Sequence, residues 1–177
     1  MFRKLLLATA GTCVAATAFA DRPMRFDTHL EGYNAGGVPV PTSATGQARV
    51  EVIDGGTAIY FQVEVAGIFN VLMAHIHVNT TSAAPVQVTD PAGPIVFWFT
   101  GGPPAAGTVT ETINGSFARG YIITDADLVS PNTITGLVEA IAAGRASVVI
   151  HTDDLDPNTP TGTQGDSRGG ELRGTLQ

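Results

Sequence analysis

Apolar and polar residues alternate along much of this chain. Over residues 25–31, Phe26, Thr28 and Leu30 point one way and Asp27, His29 and Glu31 the other, while over residues 47–52 Ala48, Val50 and Val52 oppose Gln47, Arg49 and Glu51. A period of two is the mark of a strand with one dry and one wet face, because successive side chains leave opposite sides. Residues 57–65 continue it with Ile59, Phe61, Val63 and Val65, and Asp54-Gly55-Gly56 supplies the turn chemistry that closes a hairpin between the two runs. Further strands are predicted over residues 73–78, 95–100, 109–113, 147–152 and 171–176. The 21 glycines and 11 prolines of the chain break it into short runs of this kind. The pattern predicts a mainly β fold, an antiparallel Greek-key sandwich or barrel.

One stretch changes period. Ile134, Leu137, Val138 and Ile141 fall at helical spacing, so a helix is predicted over residues 134–143. Asn132 or Thr133 can cap its start, and Gly144 stands where a left-handed residue ends a helix. Asp125-Ala126-Asp127-Leu128 adds a short turn before it, and Ser130-Pro131 separates the two. No internal repeat or second domain is visible.

The amino terminus bears on compartment. Arg3 and Lys4 precede an apolar run from Leu5 to Ala18, and Ala18-Phe19-Ala20 reads as a small-x-small cleavage site before Asp21. Residues 1–20 are expected to be a signal peptide and residues 21–177 a single exported domain, periplasmic or extracellular. The apolar run is too short and too interrupted for a retained membrane anchor. Cleavage would remove the only cysteine, Cys13, and the only lysine, Lys4, and would make the formal charge of −7 more negative by two. Such a surface repels phosphate backbones and anionic lipid, which argues against nucleic acid and membrane as partners. It suits cations, basic proteins or neutral small ligands.

His75 and His77 are two apart on a predicted strand, so both imidazoles leave the same face, opposite Ala74, Ile76 and Val78. Such a pair can chelate one metal ion. His151, on another strand with Ser147 and Val149, would complete a three-nitrogen site suited to copper or zinc, provided the two strands are neighbours with those faces turned together. Affinity would then fall as pH drops through the imidazole range near about 6.5. The same spacing also suits hydrogen-bonded or solvated strand histidines. Asp153, Asp154, Asp156, Asn158 and Asp166 form an acidic segment with oxygen ligands of the type calcium takes, without the EF-hand spacing; it also reads as a solvated loop. No nucleophile elbow, phosphate-binding glycine loop or cysteine nucleophile is present in the sequence. Trp98, between Phe97 and Phe99, reads as a core or edge-strand residue.

Several motifs occur in a specific order: Leu30-Glu31-Gly32, Val38-Pro39-Val40-Pro41, Ala44-Thr45-Gly46-Gln47-Ala48, Ala74-His75-Ile76-His77, Gly136-Leu137-Val138-Glu139-Ala140-Ile141, Ala143-Gly144-Arg145-Ala146, Val148-Val149-Ile150-His151-Thr152 and Gly170-Glu171-Leu172-Arg173-Gly174. Together they resemble the CHRD domain, the chordin-type module also found in secreted bacterial proteins. The resemblance implies a non-catalytic binding or interaction module, with a protein or small ligand as partner. Residues 153–169 are longer than the connection typical of that family. A second resemblance is narrower. His75-Ile76-His77, the segment from Val148 to Leu155, and Ser167-Arg168 are similar to the copper-ligand strands and late arginine loop of copper-zinc superoxide dismutase. It implies His75, His77 and His151 as copper ligands and Arg168 as an anion-guiding residue. The chain departs from that family in having no bridging histidine in the following loop, no zinc-ligand cluster and no cysteine pair.

Overall fold

The computed structural model describes residues 24–102, 112–158 and 161–177. Eight strands form two four-stranded antiparallel sheets. In the first, β1 (Met24–Leu30), β2 (Thr45–Ile53), β3 (Ala58–Ile68) and β6 (Ile113–Ile122) lie side by side in that order. In the second the order is β5 (Ile95–Trp98), β4 (Val71–Val78), β7 (Ala146–Thr152) and β8 (Leu172–Thr175). The sheets pack face to face as a sandwich and do not close into a barrel. Backbone hydrogen bonds nevertheless stitch one edge, where Glu31 and Arg173 exchange N–H···O bonds of 2.8 Å in both directions. That junction lets β8 follow β1 although one belongs to each sheet.

The alternation read along the chain maps onto the core. Ala48 and Val50 of β2 and Ile59, Phe61, Val63 and Val65 of β3 are buried against Ala74 and Ile76 of β4, Val148 and Ile150 of β7, and Leu172 of β8. The turn Asp54–Gly56 joins β2 to β3, with Gly55 at φ 68°. The outer face of the first sheet stays wet. There Asp27 pairs with Arg25 at 2.7 Å and with Arg49 at 3.3 Å on half-exposed side chains, an arrangement that contributes little to stability.

The second sheet departs from the one-wet-face expectation. Every residue of β7 and of β8 is buried, so its outer face is dry as well. Two segments cover it, one between β4 and β5 and the other between β7 and β8. A strand buried on both faces ordinarily reads as a continuous apolar run, yet here Ser147, His151, Arg173 and Thr175 occupy the second face.

Strand β6 was not anticipated over its observed length. The run expected at residues 109–113 falls mainly on residues outside those described, and the strand continues to Ile122 through Asn114, Gly115, Ser116, Arg119 and Gly120. These residues interrupt the alternation. The pairing with β3 also shifts register twice, between Val63 and Glu64 and between Val65 and Ile68, so no single period describes it.

The helix α1 spans Ile134–Ala142. The Thr133 side chain accepts a 3.1 Å bond from the Gly136 N–H, and the short 3-10 turn Asp125–Asp127 precedes it. Ile134, Leu137 and Ile141 point into the core with Val138 at its margin. Gly144 has φ 64°, and a Cβ there would lie 2.8 Å from Pro85 Cβ, so glycine is demanded by both conformation and space. Leu137→Ala should lower stability by roughly 2–5 kcal/mol, and Thr133→Ala by about 1 kcal/mol through loss of the cap. Denaturant midpoints measure this ordering, and an unchanged midpoint for Leu137→Ala would contradict a core position for α1.

Candidate metal centre

Strands β4 and β7 are antiparallel neighbours, with Met73 opposite His151, His75 opposite Val149 and His77 opposite Ser147. This register sets His75, His77 and His151 on one face of the second sheet, His151 diagonal to His75. The ring centroids of His75 and His151 are 4.5 Å apart, those of His75 and His77 4.6 Å, and those of His77 and His151 6.5 Å. One nitrogen from each ring lies within 4.8 Å of the others. A metal bound at about 2.0–2.1 Å by three imidazoles holds its nitrogens about 3.3–3.6 Å apart, so side-chain adjustment of about 1 Å closes the difference. Trp98, at the end of edge strand β5, stands edge-on to His75 with centroids 4.8 Å apart and walls the centre.

Two of the rings are aimed. His77 Nδ1 is 2.7 Å from the carbonyl oxygen of Gly93, and His151 Nδ1 is 2.7 Å from the carbonyl oxygen of Arg168. A carbonyl can only accept, so each Nδ1 carries the proton and each Nε2 presents a lone pair. Both Nε2 atoms are buried without a hydrogen-bond partner, as are both ring nitrogens of His75. Leaving a buried polar atom unpaired costs about 1–3 kcal/mol, and four such atoms in one place call for an explanation. Fixing a ligand histidine by a hydrogen bond to its other nitrogen is how metal sites set tautomer and orientation.

The rings are also neutral. Burial, reinforced by His151 and His77, pushes His75 down to about 2. Burial lowers His151 to about 4 against the opposing pull of the Arg168 carbonyl, with His77 lowering it further. His77 is lowered too, by burial and by Arg173, against the Gly93 carbonyl. Proton competition therefore sets in below the range near 6.5 expected from the sequence.

The covering segments are held by two buried charges, Glu171 and Arg173. Arg173 donates to the carbonyls of Gln87, Val88 and Asp90 and to Ser147 Oγ, which fastens the segment that carries Gly93. Glu171 accepts from Thr42 Oγ1 at 2.6 Å, Thr152 Oγ1 at 2.8 Å and the Gly165 N–H at 2.7 Å, which fastens the segment that carries Arg168. Gly93 has φ 89°, and a Cβ there would lie 2.3 Å from the Val78 carbonyl oxygen. The only sequence signals for these supports are the alternating charges Glu171 and Arg173 and the Gly93-Pro94 pair.

Other residues singled out from the sequence lie elsewhere. His29 is exposed on the outer face of the first sheet and does not approach the other three. Arg168 is engaged through Nε with Asp153 Oδ2 at 2.7 Å, so its side chain braces the loop. Asp153, Asp154 and Asp166 come together within 4.8 Å, but Asp156 and Asn158 bond to one another instead, at 2.8 and 2.9 Å. The acidic segment therefore does not gather into one five-residue site.

The CHRD domain family model matches residues 26–158, a span that takes in all three buried histidines. The chain belongs to the CHRD domain family. No curated protein and no solved structure matches it. Membership supports a binding module in general. A dismutase-like site is not supported in this CHRD domain, since with His29 on the opposite sheet none of the four histidines of the chain is left to bridge a second metal.

In the metal-free CHRD domain, the lowered histidines make protonation favour the unfolded chain. Their stabilising contribution is complete above about pH 6.5 and is lost as pH falls toward the folded values. Denaturant midpoints of chelator-treated protein should therefore fall between about pH 6.5 and pH 5, above the range of the carboxylates, and His151→Asn should flatten that slope. A midpoint that holds level across the window would contradict neutral burial of the three rings.

Proposed function

We propose that this CHRD domain is an exported, non-catalytic binding module whose ligand is a single transition-metal ion, copper or zinc, held by His75, His77 and His151. The observation that carries the reading is the set of four unpartnered nitrogens on three buried imidazoles, two of them aimed by carbonyl oxygens. Neutral imidazoles are ready ligands for both metals, and a bound ion would satisfy lone pairs that the folded chain leaves bare. Export rests on the charged, apolar and small-residue pattern of residues 1–20. The acidic surface favours attraction of cations over nucleic acid or anionic lipid.

A closed site suits binding better than turnover. All three rings are buried beneath two segments and beside Trp98, and the described residues offer no fourth histidine or thiolate at the centre. Metal analysis of protein purified from its own compartment should give one equivalent of copper or zinc. Calorimetry at neutral pH should show saturable one-to-one binding that His77→Ala abolishes while the apo fold survives. Gly93→Ala, which displaces the carbonyl that aims His77, should weaken binding by about 10–100-fold, the usual effect of disturbing a residue behind a ligand. Absence of saturable copper and zinc binding would leave the module with some other ligand.

A further inference from the structure

We infer that the three-histidine centre is built for monovalent copper over divalent zinc, with the Met73 thioether as a soft fourth donor; the inference rests on the metal-binding reading above. Charge is the first argument. All three ring donors are neutral, and the groups behind them, the carbonyls of Gly93 and Arg168, are neutral too. The formal charge that shares this face is positive: Arg173 lies in the cross-strand row Arg173, Val149, His75, and its guanidinium bonds to Ser147, the residue opposite His77.

The buried acids nearby are committed elsewhere. Asp153 gives one oxygen to Arg168 Nε and the other to the Leu155 N–H, and the oxygens of Glu171 are taken by Thr42, Thr152 and Gly165. Asp166 gathers with Asp153 and Asp154, and the half-buried Asp90 accepts from the Gln87 N–H at 2.9 Å. The cost of taking an ion out of water grows with the square of its charge, so a divalent ion is penalised about fourfold more than a monovalent one of like size. A three-histidine zinc site keeps its fourth position for water, and closed zinc sites add thiolate or carboxylate ligands; the described residues gather neither with these buried rings.

Donor softness is the second argument. Met73, His75 and His77 share one face of β4, and Met73 pairs directly with His151 across the strand boundary, a position that brings Cβ atoms to about 4.5–5.5 Å. The residue is half-buried on that face. A thioether discriminates in favour of monovalent copper. Monovalent copper and divalent zinc both have filled d shells, so ligand-field preference drops out of the comparison and charge and softness decide it.

Anaerobic competition titrations of the full mature chain read this directly, with monovalent copper against a chromophoric chelator and zinc against its own. The expected result is one equivalent of each ion with a Kd for monovalent copper at least about 100-fold below that for zinc. Met73→Leu should raise the copper Kd by about tenfold or more and leave the zinc Kd within about threefold. Zinc bound as tightly as monovalent copper in the wild type would overturn the selectivity and leave the metal-binding reading standing. Met73→Leu that changes neither Kd, or both equally, would overturn the role of Met73. No saturable binding of either ion would remove the reading on which the inference rests.

Discussion

The arrangement depends on two buried charges at the last strand. Arg173 and Glu171 are fully enclosed, and a buried charge is tolerated only where its hydrogen bonds are met. Apart from Arg173 Nε, they are met by the backbone carbonyls of Gln87, Val88 and Asp90 and by Ser147 Oγ for Arg173, and by Thr42, Thr152 and the Gly165 N–H for Glu171. Each charge thereby draws a loop down over the second sheet. The loops return the two carbonyls that aim His77 and His151.

That coupling explains why a sandwich with one ordinary wet face keeps the other dry. An antiparallel sheet can leave its outer face to water, and the first sheet does so with Asp27, Arg25 and Arg49. On the second sheet the loops exclude water from the face that bears the histidines, so the rings lose solvation and are held unprotonated. Burial alone would be a pure cost. Combined with carbonyls that fix two tautomers, it yields lone pairs held facing one another in a medium of low dielectric, where coordination to a cation is stronger than in water.

The same dryness limits what the centre can do. Rings enclosed beneath two loops and a tryptophan edge favour retention of a small ion over turnover of a substrate, which is why a binding module is the reading the geometry supports. The acidic segment is drawn into this scheme through Arg168, which reaches His151 with its carbonyl and Asp153 with its guanidinium. A residue that the dismutase resemblance would assign to guiding anions is thus used to brace the loop over the three histidines.

Local pattern in the chain determined the elements whose physics is local. The period-two runs of β2 and β3, the helical spacing of Ile134, Leu137 and Ile141, the cap at Thr133 and the left-handed Gly144 follow from side-chain periodicity and backbone sterics, which need no tertiary context. The His75-x-His77 pair is of the same kind, because two residues apart on a strand share a face. Strand β6 was less legible, since Gly115 and Gly120 and two shifts of register remove a constant period. Only the tertiary structure decided that His151 joins His75 and His77, that Met73 pairs with His151 across the strands, and that Ser147, Glu171 and Arg173 are buried. Those facts depend on which strands pair and in what register, and on which loops fold back. Contacts between residues far apart in sequence set both, and no window along the chain contains them.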